Sequence, residues 1–210
     1  MGVLEEMSEL LQKGKANEVK ALVQKAIDEK IDAKRILEDG LMSGMNIIGE
    51  KFKNNQVYVP EVLIAARAMN QGISILRPLL VQAGVQARGT VILGTVKGDL
   101  HDIGKNLVKM MMEGKGLEVI DMGTNVPAEK FIASAKEKNA KIIACSALLT
   151  TTMTEMKNVV EAAKTEGIRD QVTIMVGGAP VTDSYRESIG ADIYTPDAAS
   201  AAERAAAVFG

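Results

Sequence analysis

From Thr90 onward, short runs of β-branched and apolar residues alternate with helix-periodic segments, and this alternation leaves few folds open. Runs near 90–96, 117–121, 141–146, 172–176 and 192–194 are short and almost wholly apolar, the pattern of strands buried on both faces. Segments near 103–115, 127–138, 153–166, 182–188 and 197–208 carry the helical period instead. Five such strand–helix units predict an α/β domain with a five-stranded parallel sheet covered on both faces by right-handed crossovers. A flavodoxin-like (Rossmann-like) strand order, 2-1-3-4-5, is expected, with its switch point at the carboxyl ends of strands one and three.

Residues 1–85 show only the helical period and read as a small four-helix bundle. Met7, Leu10 and Leu11 line the first helix, and Val19, Leu22, Val23, Ala26 and Ile27 the second. Leu37, Leu41, Met45, Ile48 and Phe52 line the third, and Val62, Ala66, Met69, Ile73, Leu76 and Leu80 the fourth. Pro60 suits the first turn of that fourth helix, while Pro78 should bend its end. Periodicity stops and glycines cluster at 82–89, the expected hinge between a 1–85 domain and a 90–210 domain.

The only histidine of the chain lies in Gly94-Thr-Val-Lys-Gly98-Asp-Leu-His101-Asp-Ile-Gly104, between the first strand and its helix, where open α/β sheets bind ligands. A carboxylate two residues before a histidine can accept one ring N–H and leave the other nitrogen free for a metal. The plain alternative is a histidine on a turn, capped by Asp99, with no role. A protein-only zinc site fails on ligand count, since one His101 and one Cys145 are available, and Cys145 reads as a buried strand residue. A metal on His101 would therefore bring its other ligands with a macrocycle, as haem and corrinoids do.

Asp99-Leu-His101-Asp-Ile-Gly104 matches the D-x-H-x-x-G signature of cobalamin-binding domains. That family continues with S-x-L and then Gly-Gly. Here Ser146-Ala-Leu148 follows after 41 intervening residues and Gly177-Gly178 after 28 more, at matching spacing. On these elements the chain resembles the cobalamin-binding region of methionine synthase, and more closely the free-standing corrinoid proteins of methyltransferase systems. The likeness runs into the helical third through Phe52 and Tyr58-Val59-Pro60-Glu61.

The resemblance implies a cobalamin or related corrinoid cofactor whose nucleotide tail is buried in the sheet domain, with a protein histidine in the lower axial place on cobalt. It makes His101 the metal ligand, Asp99 its hydrogen-bond partner and Thr152 the third member of a catalytic proton relay, where the family usually carries serine. The implied cofactor contacts are Gly98, Asp99, Leu100, His101, Asp102, Ile103 and Gly104, then Ser146, Leu148, Thr150 and Thr152. Gly177 and Gly178 are expected to leave room for the tail. Phe52 and Val59 would line a cap over the upper face, shielding the reactive methyl group; the plain reading makes both ordinary bundle core.

The function implied is a methyl carrier, not a complete enzyme by itself. A substrate-specific methyltransferase would load it, a corrinoid-to-tetrahydrofolate or corrinoid-to-thiol methyltransferase would unload it, and a reductive activator would rescue oxidised cobalt. His101 would bind and leave cobalt in each turn, with proton uptake on leaving. Alternatives are the cobamide subunit of an adenosylcobalamin-dependent mutase, which typically lacks the helical cap, and a cobamide sensor, whose cap usually carries tryptophan. A non-corrinoid flavodoxin-like module would lack support from any G-x-G-x-x-G.

Twenty-five basic against 27 acidic residues give a net charge of −2, and no basic run marks a nucleic-acid or membrane patch. No apolar stretch reaches the roughly 18 residues of a membrane span, and the acidic start lacks a signal peptide's pattern. Cytoplasm is the expected location.

Overall fold

The computed structural model describes residues 2–210. The chain divides into two compact units, the first holding the helices up to Ala87 and the second Arg88–Glu113 and Leu117–Gly210.

The first unit contains α1 (Val3–Gln12), α2 (Ala16–Asp28), α3 (Ala33–Arg35), a π-helical segment Ile36–Met42, α4 (Ser43–Lys53) and α5 (Val59–Gln82). α3, the π segment and α4 together form the third helix expected from the sequence. The π segment changes its packed face, because the Ser43 N–H reaches back five residues to the Glu38 carbonyl. The buried pair is consequently Ile36 and Leu41, not the expected Leu37 and Leu41. A Cβ on Gly40 would lie 2.7 Å from Met7 Sδ, and one on Gly44 2.9 Å from the Ser8 carbonyl oxygen, so α1 packs closely on this run. That contact buries Ser8, whereas Leu10, expected in the core, stays partly exposed. Glu61 accepts the Tyr58 N–H at 3.1 Å to start α5, which runs through Pro78 to Gln82. Phe52 and Val59 are half-buried, outside the core of Met7, Leu11, Val19, Val23, Met45, Ile48 and Leu76.

The second unit is a parallel five-stranded sheet of order β2-β1-β3-β4-β5, formed by β1 (Thr90–Thr95), β2 (Glu118–Asp121), β3 (Ile142–Ser146), β4 (Thr173–Gly177) and β5 (Ile193–Tyr194). The helices are α6 (Ile103–Gly114), α7 (Ala128–Glu137), α8 (Thr154–Thr165), α9 (Asp183–Ile189) and α10 (Ala198–Ala207). Ile92, Ile143 and Ile174, on the three central strands, are fully buried. Gly94 lets Phe131 of α7 lie against β1, since a Cβ there would fall 2.8 Å from the ring. Burial pushes the Cys145 thiol on β3 up to about 12, as suits a core residue. Thr95 pairs with Ser146 and Ser146 with Gly177, which brings the ends of β1, β3 and β4 level where the chain order reverses. No helix among the described residues is long and apolar enough to cross a membrane.

Candidate functional site

The loop from β1 to α6 turns at Gly98, whose φ of +81° favours glycine, and buries Asp99 completely while leaving about half of the His101 side chain exposed. The Asp99 carboxylate accepts hydrogen bonds from five donors. Oδ1 takes the His101 backbone N–H at 3.1 Å and lies 2.7 Å from His101 Nδ1. Oδ2 takes the N–H groups of Leu148 at 2.8 Å and Leu149 at 3.2 Å, and the Thr152 hydroxyl at 2.8 Å. Burial alone would raise this carboxyl. The hydrogen bonds from His101, Leu148 and Thr152 outweigh it and hold the group well below the usual carboxylate range. Asp99 is therefore ionised at neutral pH and accepts a hydrogen bond from Nδ1–H, so that in the neutral imidazole Nε2 is the nitrogen with the lone pair. Among the described residues, no group hydrogen-bonds Nε2.

Around the imidazole the surface suits a large flat apolar ligand. Leu100 and Ile103 are 72% and 74% exposed, with Leu148 and Leu149 also open. Asp102 and Gly104 are exposed beside them, and a Cβ on Gly104 or on Gly177 would meet nothing within 4 Å. The hydroxyls of Ser146 and Thr150, on the β3 end and its loop, have no hydrogen-bond partner among the described residues. Gly178 differs: with φ +134°, its Cβ would stand 1.8 Å from the Ala147 carbonyl oxygen, so glycine is required there by the loop itself. The residue set thus fits a macrocycle needing one axial nitrogen.

Residues 89–206 match a family model described as a B12 binding domain, and residues 3–77 match a second model of the same description. The chain belongs to this B12-binding family. The B12-binding chain is 42% identical to the dimethylamine corrinoid protein of Methanosarcina barkeri, over 97% of its own length and 95% of the relative's. Its structure is similar to that of the methanol:cobalamin methyltransferase complex MtaBC from Methanosarcina barkeri. The TM-score is 0.88 at 28% identity, covering 99% of this chain and 79% of the other. A cobalamin-binding protein from Desulfitobacterium hafniense DCB-2 matches with a TM-score of 0.81 at 28% identity, over 99% and 98% of the two chains. The cofactor of this B12-binding chain is accordingly a cobalamin or related corrinoid.

The structure brings Asp99, His101 and Thr152 into one hydrogen-bonded cluster and sets Ser146, Leu148, Thr150, Gly177 and Gly178 on neighbouring strand ends and loops. Phe52 and Val59 lie in the first unit. Sequence reasoning missed the Leu149 N–H on Asp99, the Thr95 hydroxyl on the His101 carbonyl, and Asn125, which grips the loop from the far side. It also missed Lys105, 2% exposed and bonded to Asp121 at 2.6 Å and Asn106 at 2.7 Å. Its signal was slight, a lysine one residue after Gly104, on the side of α6 that faces β2.

Proposed function

We propose that this chain carries a methyl group between two methyltransferases, with His101 as the lower axial ligand of its corrinoid. One is a substrate-specific methyltransferase that loads it; the relatives point to a methylamine or methanol as the source. The other passes the group to tetrahydrofolate or a thiol, and a reductive activator restores the cofactor after oxidation. Bound here, the corrinoid supplies the cobalt that accepts and releases the methyl group.

The reading is carried by the buried Asp99 carboxylate 2.7 Å from His101 Nδ1, which leaves Nε2, on a half-exposed side chain, as the nitrogen free for a metal. The chain's own residues then manage a proton. When Nε2 is not engaged it can take one, and the imidazolium stays paired with Asp99, whose hydrogen bonds keep it from becoming the proton's resting place. Thr152 shares its hydroxyl between Asp99 Oδ2 and the Leu149 carbonyl oxygen, at 2.8 and 2.9 Å, so it can adjust as that charge changes. Phe52 and Val59 of the helical unit are proposed to help keep water from the methyl group.

His101→Ala tests the ligand role. The loaded variant should keep its corrinoid through gel filtration, because the tail is held elsewhere, while its visible spectrum changes to that of cobalt without a protein nitrogen. An unchanged spectrum would contradict the assignment.

A further inference from the structure

The Asp99 carboxylate is one of several groups that hold the His101 loop. Thr95, the last residue of β1, has no exposed surface and donates its hydroxyl to the His101 carbonyl oxygen at 2.8 Å. Its backbone N–H is bonded to the Gly123 carbonyl at 2.9 Å. From the β2 side, Asn125 Oδ1 accepts the Gly98 N–H at 2.8 Å, and the Asn125 N–H donates to the Asp99 carbonyl at 2.9 Å. Asn125 does so at φ +55°, a left-handed conformation that asparagine tolerates better than most residues. The loop it stands on is anchored in turn. Asp121 accepts the Gly123 N–H at 2.9 Å and the buried Lys105 ammonium at 2.6 Å, and Val126 bridges to Val96.

Three main-chain groups around the histidine, the Gly98 N–H and the carbonyls of Asp99 and His101, are thus held by side chains or loops that never touch the imidazole. We infer that Thr95 and Asn125 are positioning residues for His101. They hold the loop backbone at a set height above the sheet end, so that Nε2 would reach a metal by side-chain rotation alone and no loop-ordering entropy would oppose the bond. Asp99 sets which nitrogen is offered, whereas Thr95 and Asn125 set where it stands. The inference rests on His101 as the axial ligand.

The test uses the full chain loaded with cob(II)alamin and labelled with 15N-histidine. In the paramagnetic resonance spectrum, a protein nitrogen on cobalt gives doublet splitting, and displacement by ordinary imidazole converts it to a triplet. Thr95→Val, which removes the hydroxyl at nearly constant volume, should lower the imidazole concentration for half-displacement about 2- to 10-fold, the worth of one net hydrogen bond. Thr95→Ser, which keeps the hydroxyl, should stay close to the wild type. Asn125→Gly keeps the left-handed backbone but loses the acceptor and should shift as Thr95→Val does, and Asn125→Asp should restore it. A merely structural role would lower the thermal midpoint of the apo chain without moving the displacement curve. Unchanged displacement in both Thr95→Val and Asn125→Gly overturns the inference while leaving the ligand role of His101 intact. A wild-type spectrum with no doublet removes that role, and the inference with it.

Discussion

Asp99→Ala is expected to destabilise the apo chain by about 3 kcal/mol, since buried donors lose a charged acceptor and only the Thr152 hydroxyl has another partner, the Leu149 carbonyl, within reach. For a sheet unit of this size that is a fall of about 10 °C in the thermal midpoint. The same substitution frees the imidazole to adopt either tautomer and should weaken the proposed His101–cobalt bond about 10- to 100-fold. The pH dependence has a definite sign. The folded-state pKa of Asp99 lies below its ordinary 3.8, so its contribution is fully present above that value and is lost as pH falls further. The gap between wild type and variant should therefore hold steady above the ordinary value and narrow below it, as thermal melts from pH 7 down to about 2.5 would show. A constant gap at all pH values would contradict this account of the carboxylate.

Gly178→Ala and Gly177→Ala should behave in opposite ways although the residues are adjacent. At Gly178 the added carbon would enter the Ala147 carbonyl oxygen at 1.8 Å from a backbone with φ +134°, so strain and overpacking together should cost about 3 kcal/mol, or roughly 10 °C. At Gly177 the added carbon meets nothing within 4 Å, and the apo midpoint should stay within about 2 °C of the wild type. If the cofactor's tail runs past the end of β4, Gly177→Ala should nonetheless weaken cobalamin binding about tenfold, a clash worth roughly 1.4 kcal/mol. Melting curves and equilibrium titration of the two apo variants check both halves; a Gly177→Ala variant with wild-type affinity would place the tail elsewhere.

The five strand–helix units were legible because the apolar period changes cleanly from helical to strand-like after the 82–89 segment. The π-helical segment was not. Ile36, Leu37 and Leu41 satisfy either a four- or a five-residue spacing, and only the close approach of α1 at Gly40 and Gly44 selects Ile36 for burial. At the site, Asp99 and His101 could be paired from two-residue spacing alone. The donors that hold the Asp99 carboxylate low include backbone N–H groups 49 and 50 residues away, which leave no mark in residue type. Thr95 looked like one more β-branched strand residue, and Asn125 like one more loop asparagine; their roles depend on which carbonyl and which N–H the fold brings beside them. Gly177-Gly178 was legible as a motif, but its two glycines are small for different reasons, one facing open space and the other pressed against Ala147.

The chain's single histidine is the nitrogen donor proposed for cobalt. Because no second histidine exists, isotopic labelling answers the question without mutation. Protein grown on 15N-histidine and loaded with unlabelled cob(II)alamin should show a doublet superhyperfine pattern in its paramagnetic resonance spectrum, in place of the triplet given by protein grown on 14N-histidine. A triplet that persists in the labelled protein would mean that the cofactor's own base still occupies the axial place, and would contradict the account.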